Sequence, residues 1–136
     1  MNFKGYVSSR KLRDQTLVQQ SVQNLVIREA CKKRGFNYQL SATEYGMENC
    51  FLILNQITND LNKGKFSGIA FYSIEQLPKE EKSREKIYKV AIKHKKKLLF
   101  SLEDILVENQ KDVKTFENLY KIKSLLQFCP NNFKLN

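Results

Sequence analysis

Phe3-Lys4-Gly5-Tyr6-Val7-Ser8-Ser9-Arg10 is the stretch whose reading decides the fold. An apolar run ends at Val7, two hydroxyls and a guanidinium follow, and helical periodicity begins near Thr16. A strand, a polar loop and then a long helix form the opening of an α/β unit. In open α/β sheets a ligand sits beyond the carboxyl ends of the strands, where such loops gather. Ser8, Ser9 and Arg10 are therefore the first candidate site residues.

Outward from that stretch, Val18, Val22, Leu25, Val26 and Ala30 recur at helical spacing, with Gln19, Gln20, Gln23, Asn24 and Arg28 opposite them. The run Cys31-Lys32-Lys33-Arg34-Gly35 suits a helix end, with cations at the negative dipole terminus and glycine in the left-handed cap. Phe36-Asn37-Tyr38-Gln39-Leu40 alternates as a strand, and Ser41 to Glu48 reads as a loop. Cys50, Ile53, Leu54, Ile57 and Leu61 mark a second helix, which stops at Lys63-Gly64. Phe66-Ser67-Gly68-Ile69-Ala70-Phe71-Tyr72 is an apolar run of the kind buried in a central parallel strand. A charged helix over 79–97, a strand at Leu98-Leu99-Phe100-Ser101-Leu102 and a last helix over 111–128 follow, and Ile105-Leu106-Val107 is too short to assign.

Strands joined by helices must be parallel, with right-handed crossovers. The expectation is an α/β fold: a small doubly wound, mainly parallel four-stranded sheet in the order 2-1-3-4, with strands at 2–7, 36–40, 66–72 and 98–102. Residues 1–130 are expected to form one domain, and 131–136 a C-terminal tail. A length of 136 residues suits one sheet with helices on its faces.

The one unusual quantity is charge, 24 Lys+Arg against 14 Asp+Glu, for a formal +10. Such an excess either keeps a small protein solvated or meets a polyanion. Many of the lysines fall in 79–97, away from the candidate loops, so the solvated reading is preferred and nucleic acid is not the expected partner. Met1-Asn2-Phe3-Lys4-Gly5 has no apolar core, so no signal peptide is expected, and no run is long enough for membrane insertion. Three cysteines, Cys31, Cys50 and Cys129, have no metal-ligand spacing, and a reduced cytoplasmic setting is the expectation. No metal and no cofactor is expected. The apolar stripes of the first and last helices suggest a homodimer.

In the expected arrangement, four loops bring together Ser8, Ser9 and Arg10; Ser41, Thr43, Glu44 and Tyr45; Ser73, Glu75 and Gln76; and Ser101 and Glu103. Hydroxyls and carboxylates beside an arginine suit a sugar phosphate or nucleotide sugar. Arg10 holds the anion in this reading, through two parallel hydrogen bonds. Glu44 is the candidate general acid or base. The same residue types also serve as ordinary caps and turns. His94, among Lys93, Lys95, Lys96 and Lys97, reads as a solvated helix-end residue.

Gly5-Tyr6-Val7-Ser8-Ser9, Gln19 and Ile74-Glu75-Gln76-Leu77 resemble the catalytic domain of serine recombinases (resolvases and invertases), roughly over residues 3–105. The resemblance implies a resolvase-like, flavodoxin-like fold. In that family a Gly-Tyr strand leads to an Arg-x-Ser motif, and a Leu-Asp-Arg-Leu motif follows the third strand. Here Ser8 stands at the arginine position and Arg10 at that of the nucleophilic serine. A one-residue shift matches Ser9 to the nucleophile, and Glu75 and Gln76 replace the later aspartate and arginine. A non-catalytic nucleic-acid-binding or regulatory relative of the recombinases is one implied function. Gly5-Tyr6 with Ser9-Arg10, Val22-Gln23-Asn24-Leu25-Val26-Ile27-Arg28, Leu40-Ser41-Ala42-Thr43-Glu44-Tyr45 with Met47, and Tyr72-Ser73 with Leu77-Pro78 resemble the sporadic carbohydrate cluster family. That family is found among bacterial surface-polysaccharide genes, which implies a cytoplasmic role in surface carbohydrate biosynthesis. On this resemblance Gln23, Asn24 and Arg28 either line the site or pack against a second subunit.

Overall fold

Alternation along three central strands builds two cores. In the computed structural model, which describes residues 1–45 and 50–126, Phe3, Val7, Ala70, Tyr72 and Leu99 point to one face, and Tyr6, Ile69, Phe71, Leu98 and Phe100 to the other. The strands are β1 (Asn2–Ser8), β2 (Asn37–Glu44), β3 (Gly68–Phe71), β4 (Lys97–Phe100) and β5 (Ile105–Val107). Helix α1 (Gln20–Lys33) covers the first face, and α2 (Leu52–Asn62), α3 (Glu81–Lys93) and α4 (Gln110–Leu126) cover the second. The sheet order is β2-β1-β3-β4-β5, and the first four strands are all parallel.

The second core is a relay of rings: Tyr6 edge-on to Phe71, Phe71 stacked on Phe100 at 4.9 Å, and Phe100 on Phe116 of α4 at 4.3 Å. Two glycines permit close strand approach. A Cβ on Gly5 would overlap Ser41 Oγ, where β2 bulges opposite β1, and one on Gly68 would overlap the Lys97 carbonyl. Arg84, 3% exposed, joins α3 to α4 through a bidentate pair with Glu117, which also accepts from the Tyr88 hydroxyl.

Four expectations are corrected. The sheet has a fifth strand, β5, antiparallel to β4 after a turn in which Asp104 takes a φ of 56°. Strand β2 continues through Ser41 and Thr43 to Glu44, so those residues lie on a sheet edge and not in a loop. Helix α1 starts at Gln20 and turns Gln23, Ile27, Ala30 and Cys31 inward, leaving Val22 and Leu25 exposed. His94 caps α3 half-buried, with Nε2 enclosed. Helix α4 exposes Leu119, Ile122, Leu125 and Leu126. Met47, Glu48, Cys129 and the tail expected at 131–136 lie outside the described residues.

Candidate functional site

The candidates cluster at the carboxyl ends of β1, β2 and β3, and the structure sorts them into three groups. The first surrounds Arg10. Its Nη1 donates to the Cys50 carbonyl at 2.7 Å, and its Nη2 to the Tyr6 hydroxyl at 2.9 Å and the Gln76 carbonyl at 3.4 Å. The guanidinium lies 4.1 Å from the centre of the Phe51 ring. Arg10 thus ties the end of β1 to the segments after β2 and β3. It makes no pair with Asp14, whose carboxylate accepts from the Thr16 N–H.

Glu44 is 2% exposed. Its carboxylate accepts from the Tyr6 hydroxyl at 3.1 Å and from the Ile53 and Leu54 N–H groups at 3.0 and 3.2 Å. Glu44 is therefore held at the positive end of α2, with both side-chain oxygens taken by protein donors. Burial, before any other cause, pushes the Tyr6 phenol well above its ordinary range, so Tyr6 stays a donor to Glu44. Ser9 N donates to the Glu44 carbonyl at 3.0 Å, and its Oγ lies 3.5 Å from the same oxygen.

Behind this group is a buried amide pair. Gln23 Oε1 accepts from Ser8 N at 3.1 Å and from Gln76 Nε2 at 2.8 Å, while its own Nε2 donates to the Ser8 and Val18 carbonyls. Ser8 Oγ accepts from Arg10 N. Gln23 therefore braces the β1 loop.

The second group lies on the α1 face of β2. The Tyr38 hydroxyl meets Asn24 Oδ1 at 2.9 Å and Ser41 Oγ at 2.6 Å, and the Arg28 guanidinium sits 5.6 Å from the Tyr38 ring centre. Asn24, Arg28 and Ser41 make no contact with Arg10. Thr43 is half-buried opposite Val7, and Tyr45 is exposed beyond the strand.

The third group is the one sequence reasoning undervalued. Ser73 Oγ donates to Glu103 at 2.7 Å, and Lys123 of α4 reaches both Glu103 and Glu75, at 3.1 and 3.5 Å. Arg13 N donates to Glu75 at 2.9 Å, and the Arg13 guanidinium covers the Tyr120 ring at 4.6 Å. Arg13 Nη1 is enclosed and has no hydrogen-bond partner among the described residues. Arg13 stands three residues after Arg10 in the same loop, the one signal that could have found it. An open groove of about 500 Å³ also runs between α3 and α4, but Glu117 within it is occupied by Arg84 and Tyr88. Among the described residues no cluster of metal-ligating side chains occurs. No described helix is long and apolar enough to cross a membrane.

No protein-family model and no curated protein matches the chain. Among solved structures it is similar to the N-terminal catalytic domain of TP901-1 integrase, with a TM-score of 0.64 and 15% sequence identity. The match covers 96% of this chain and 99% of that one. The likeness is one of fold, and it agrees with the resolvase-like architecture expected from the sequence.

Proposed function

We propose that this chain uses the recombinase fold to bind a small anionic sugar, a sugar phosphate or nucleotide sugar, as a cytoplasmic protein of surface carbohydrate biosynthesis. The observation that carries the reading is the enclosed, unpartnered Nη1 of Arg13 beside the strand ends. A guanidinium donor left unsatisfied in an enclosed position is costly, and an anionic ligand that draws this half-buried side chain out of its cover offsets that cost. Arg10, the anion contact expected from sequence, becomes the brace that shapes the site, since protein oxygens already take its donors. Glu44 becomes a positioning carboxylate. Ser9, Thr43 and Tyr45 stand around the same edge for sugar hydroxyls, while Ser73 is buried and holds Glu103 and the Glu75 N–H.

Serine-based phosphoryl transfer is disfavoured by the same geometry. It requires several cations on the developing charge, whereas neutral Gln76 replaces one family arginine and spends its amide on Gln23 and Tyr72. The test is a thermal-shift screen of nucleotide sugars and sugar phosphates beside short duplex DNA. A ligand at 100 times its Kd should stabilise by ~2.7 kcal/mol. Arg13→Gln should weaken that ligand by about 1.5–3 kcal/mol, the range for a hydrogen bond to a charged group. Equal binding by wild type and Arg13→Gln ends the reading.

A further inference from the structure

The sheet has two outer strands, and the chain treats them differently. Strand β5 is three residues long, lies between Asp104 and the Glu108 that pairs with Lys97, and has α4 packed against it. Short length, charge and a covering helix are common ways to close a sheet edge. Strand β2 has none of them. It runs from Asn37 to Glu44, and residues 36–43 carry no charge and no proline in a chain that is 28% charged. Its one charged residue, Glu44, turns inward. The strand pairs with β1 alone, and among the described residues no other backbone hydrogen bond reaches 38–43. Asn37 N meets the Met1 carbonyl and the Glu44 carbonyl meets Ser9 N, so both residues bond toward β1. Alternation from each end then turns the N–H and C=O groups of Tyr38, Leu40 and Thr43 outward. At the bulge, Leu40 and Ser41 share the place opposite Gly5, and Leu40 is left 78% exposed in the middle of the strand.

We infer that the open side of β2 receives an extended segment of a partner protein as a further strand, one that carries carboxylates among apolar residues. Main-chain hydrogen bonds to Tyr38, Leu40 and Thr43 supply the affinity, as strand addition to a sheet edge does in general. Side chains supply the choice. Leu40 offers an apolar neighbour to the added strand. On the α1 face the Arg28 guanidinium lies over the Tyr38 ring, and Lys32 follows it by one turn on the same side of the helix. Neither forms an ion pair among the described residues, so a carboxylate on the added strand completes one beside the edge. Charge also decides between occupants. A second copy brings another formal +10 to the same edge, whereas an acidic segment meets the excess. The inference stands apart from the sugar reading, which rests on Arg13.

Amide hydrogen exchange read by NMR tests it, with the intact chain and a short acetylated peptide that alternates valine with glutamate. The peptide should slow exchange at Tyr38, Leu40 and Thr43, and leave Gln39, turned toward β1 by the same alternation, unchanged. Methylating the peptide's backbone nitrogens removes its donors and should abolish binding, and so should replacing its glutamates with lysine. Arg28→Gln should weaken binding by about fivefold, the scale of one exposed ion pair. Lys86→Gln, the same charge change on the exposed side of α3, should leave it unchanged. No binding at about 1 mM peptide, binding that survives methylation, or equal affinities of the two variants overturns the inference. So does protection of Tyr38 and Leu40 in the free chain that rises with protein concentration, which would assign the edge to a second copy.

Discussion

Glu44 shows how one carboxylate can be read as catalytic and built as structure. It closes a three-way junction between Tyr6 of β1, its own strand and the first turn of α2, and Arg10 presses on the same tyrosine oxygen. Bonds to a charged acceptor contribute more than neutral ones, so Glu44→Gln, which keeps the shape, should cost about 1.5–3 kcal/mol in urea unfolding. A loss below about 0.5 kcal/mol, the scale of an ordinary surface change, would return Glu44 to the list of catalytic candidates. Cys31 makes the matching point about pH. It is fully buried, and that burial pushes its thiol up to about 11. Between about pH 9 and 11 the unfolded chain loses this proton while the folded chain keeps it. The folded state then binds more protons, so stability falls as pH rises, by up to about 1.4 kcal/mol per pH unit. The raised phenols of Tyr6 and Tyr88 add a fall of the same sign in both proteins, so urea unfolding over this range should show a steeper fall in wild type than in Cys31→Ala, and parallel curves would refute it. Neither role was visible in sequence. A glutamate after Ser41-Ala42-Thr43 reads as loop because an edge strand has few apolar residues, and Gln23 reads as outward because periodicity equates polar with exposed. Gln23 is inside because it satisfies buried amides of Ser8 and Gln76, a long-range pairing that no local pattern encodes.

At the scale of elements, the three helix ends rank residue choice against geometry. Gly35 and Gly64 were legible as caps, because glycine after a basic helix end is a strong local signal. The third cap was not, since Lys95, left-handed at a φ of 53°, lies in the run Lys93-His94-Lys95-Lys96-Lys97 and gives no stop. The helix expected over 79–97 therefore ran past its true end at Lys93. The left-handed conformation costs a side-chain-bearing residue roughly 1–2 kcal/mol. Lys95→Gly should thus raise stability by about 1 kcal/mol, read as a higher urea midpoint with an unchanged m-value. A destabilised variant would mean that the lysine side chain makes a compensating contact in the fold. The central strands were the most legible elements, because Gly68-Ile69-Ala70-Phe71 is buried on both faces and must be apolar throughout. Strand β5 was the least legible, since three residues carry no periodicity and are held by pairing with β4.

For the whole molecule, the question is whether its charge helps or hinders folding. Topology sends every crossover helix end to one sheet edge, so lysines scattered through the sequence become neighbours there. Against a formal +10, the ion pairs at that edge are few and solvent-exposed. Exposed pairs contribute roughly 0–1 kcal/mol each, and salt weakens them. Salt also screens the repulsion among the unpaired lysines, and repulsion outnumbers attraction here. The two effects have opposite signs, so the melting temperature decides between them. Raising ionic strength from about 10 to 150 mM shortens the Debye length from roughly 30 to 8 Å, and should raise the Tm of the wild-type chain. The variant Lys63→Gln/Lys93→Gln/Lys95→Gly/Lys96→Gln should melt higher than wild type at low salt and gain less from added salt. A wild-type Tm that falls with salt would show that the exposed ion pairs outweigh the repulsion among the unpaired lysines.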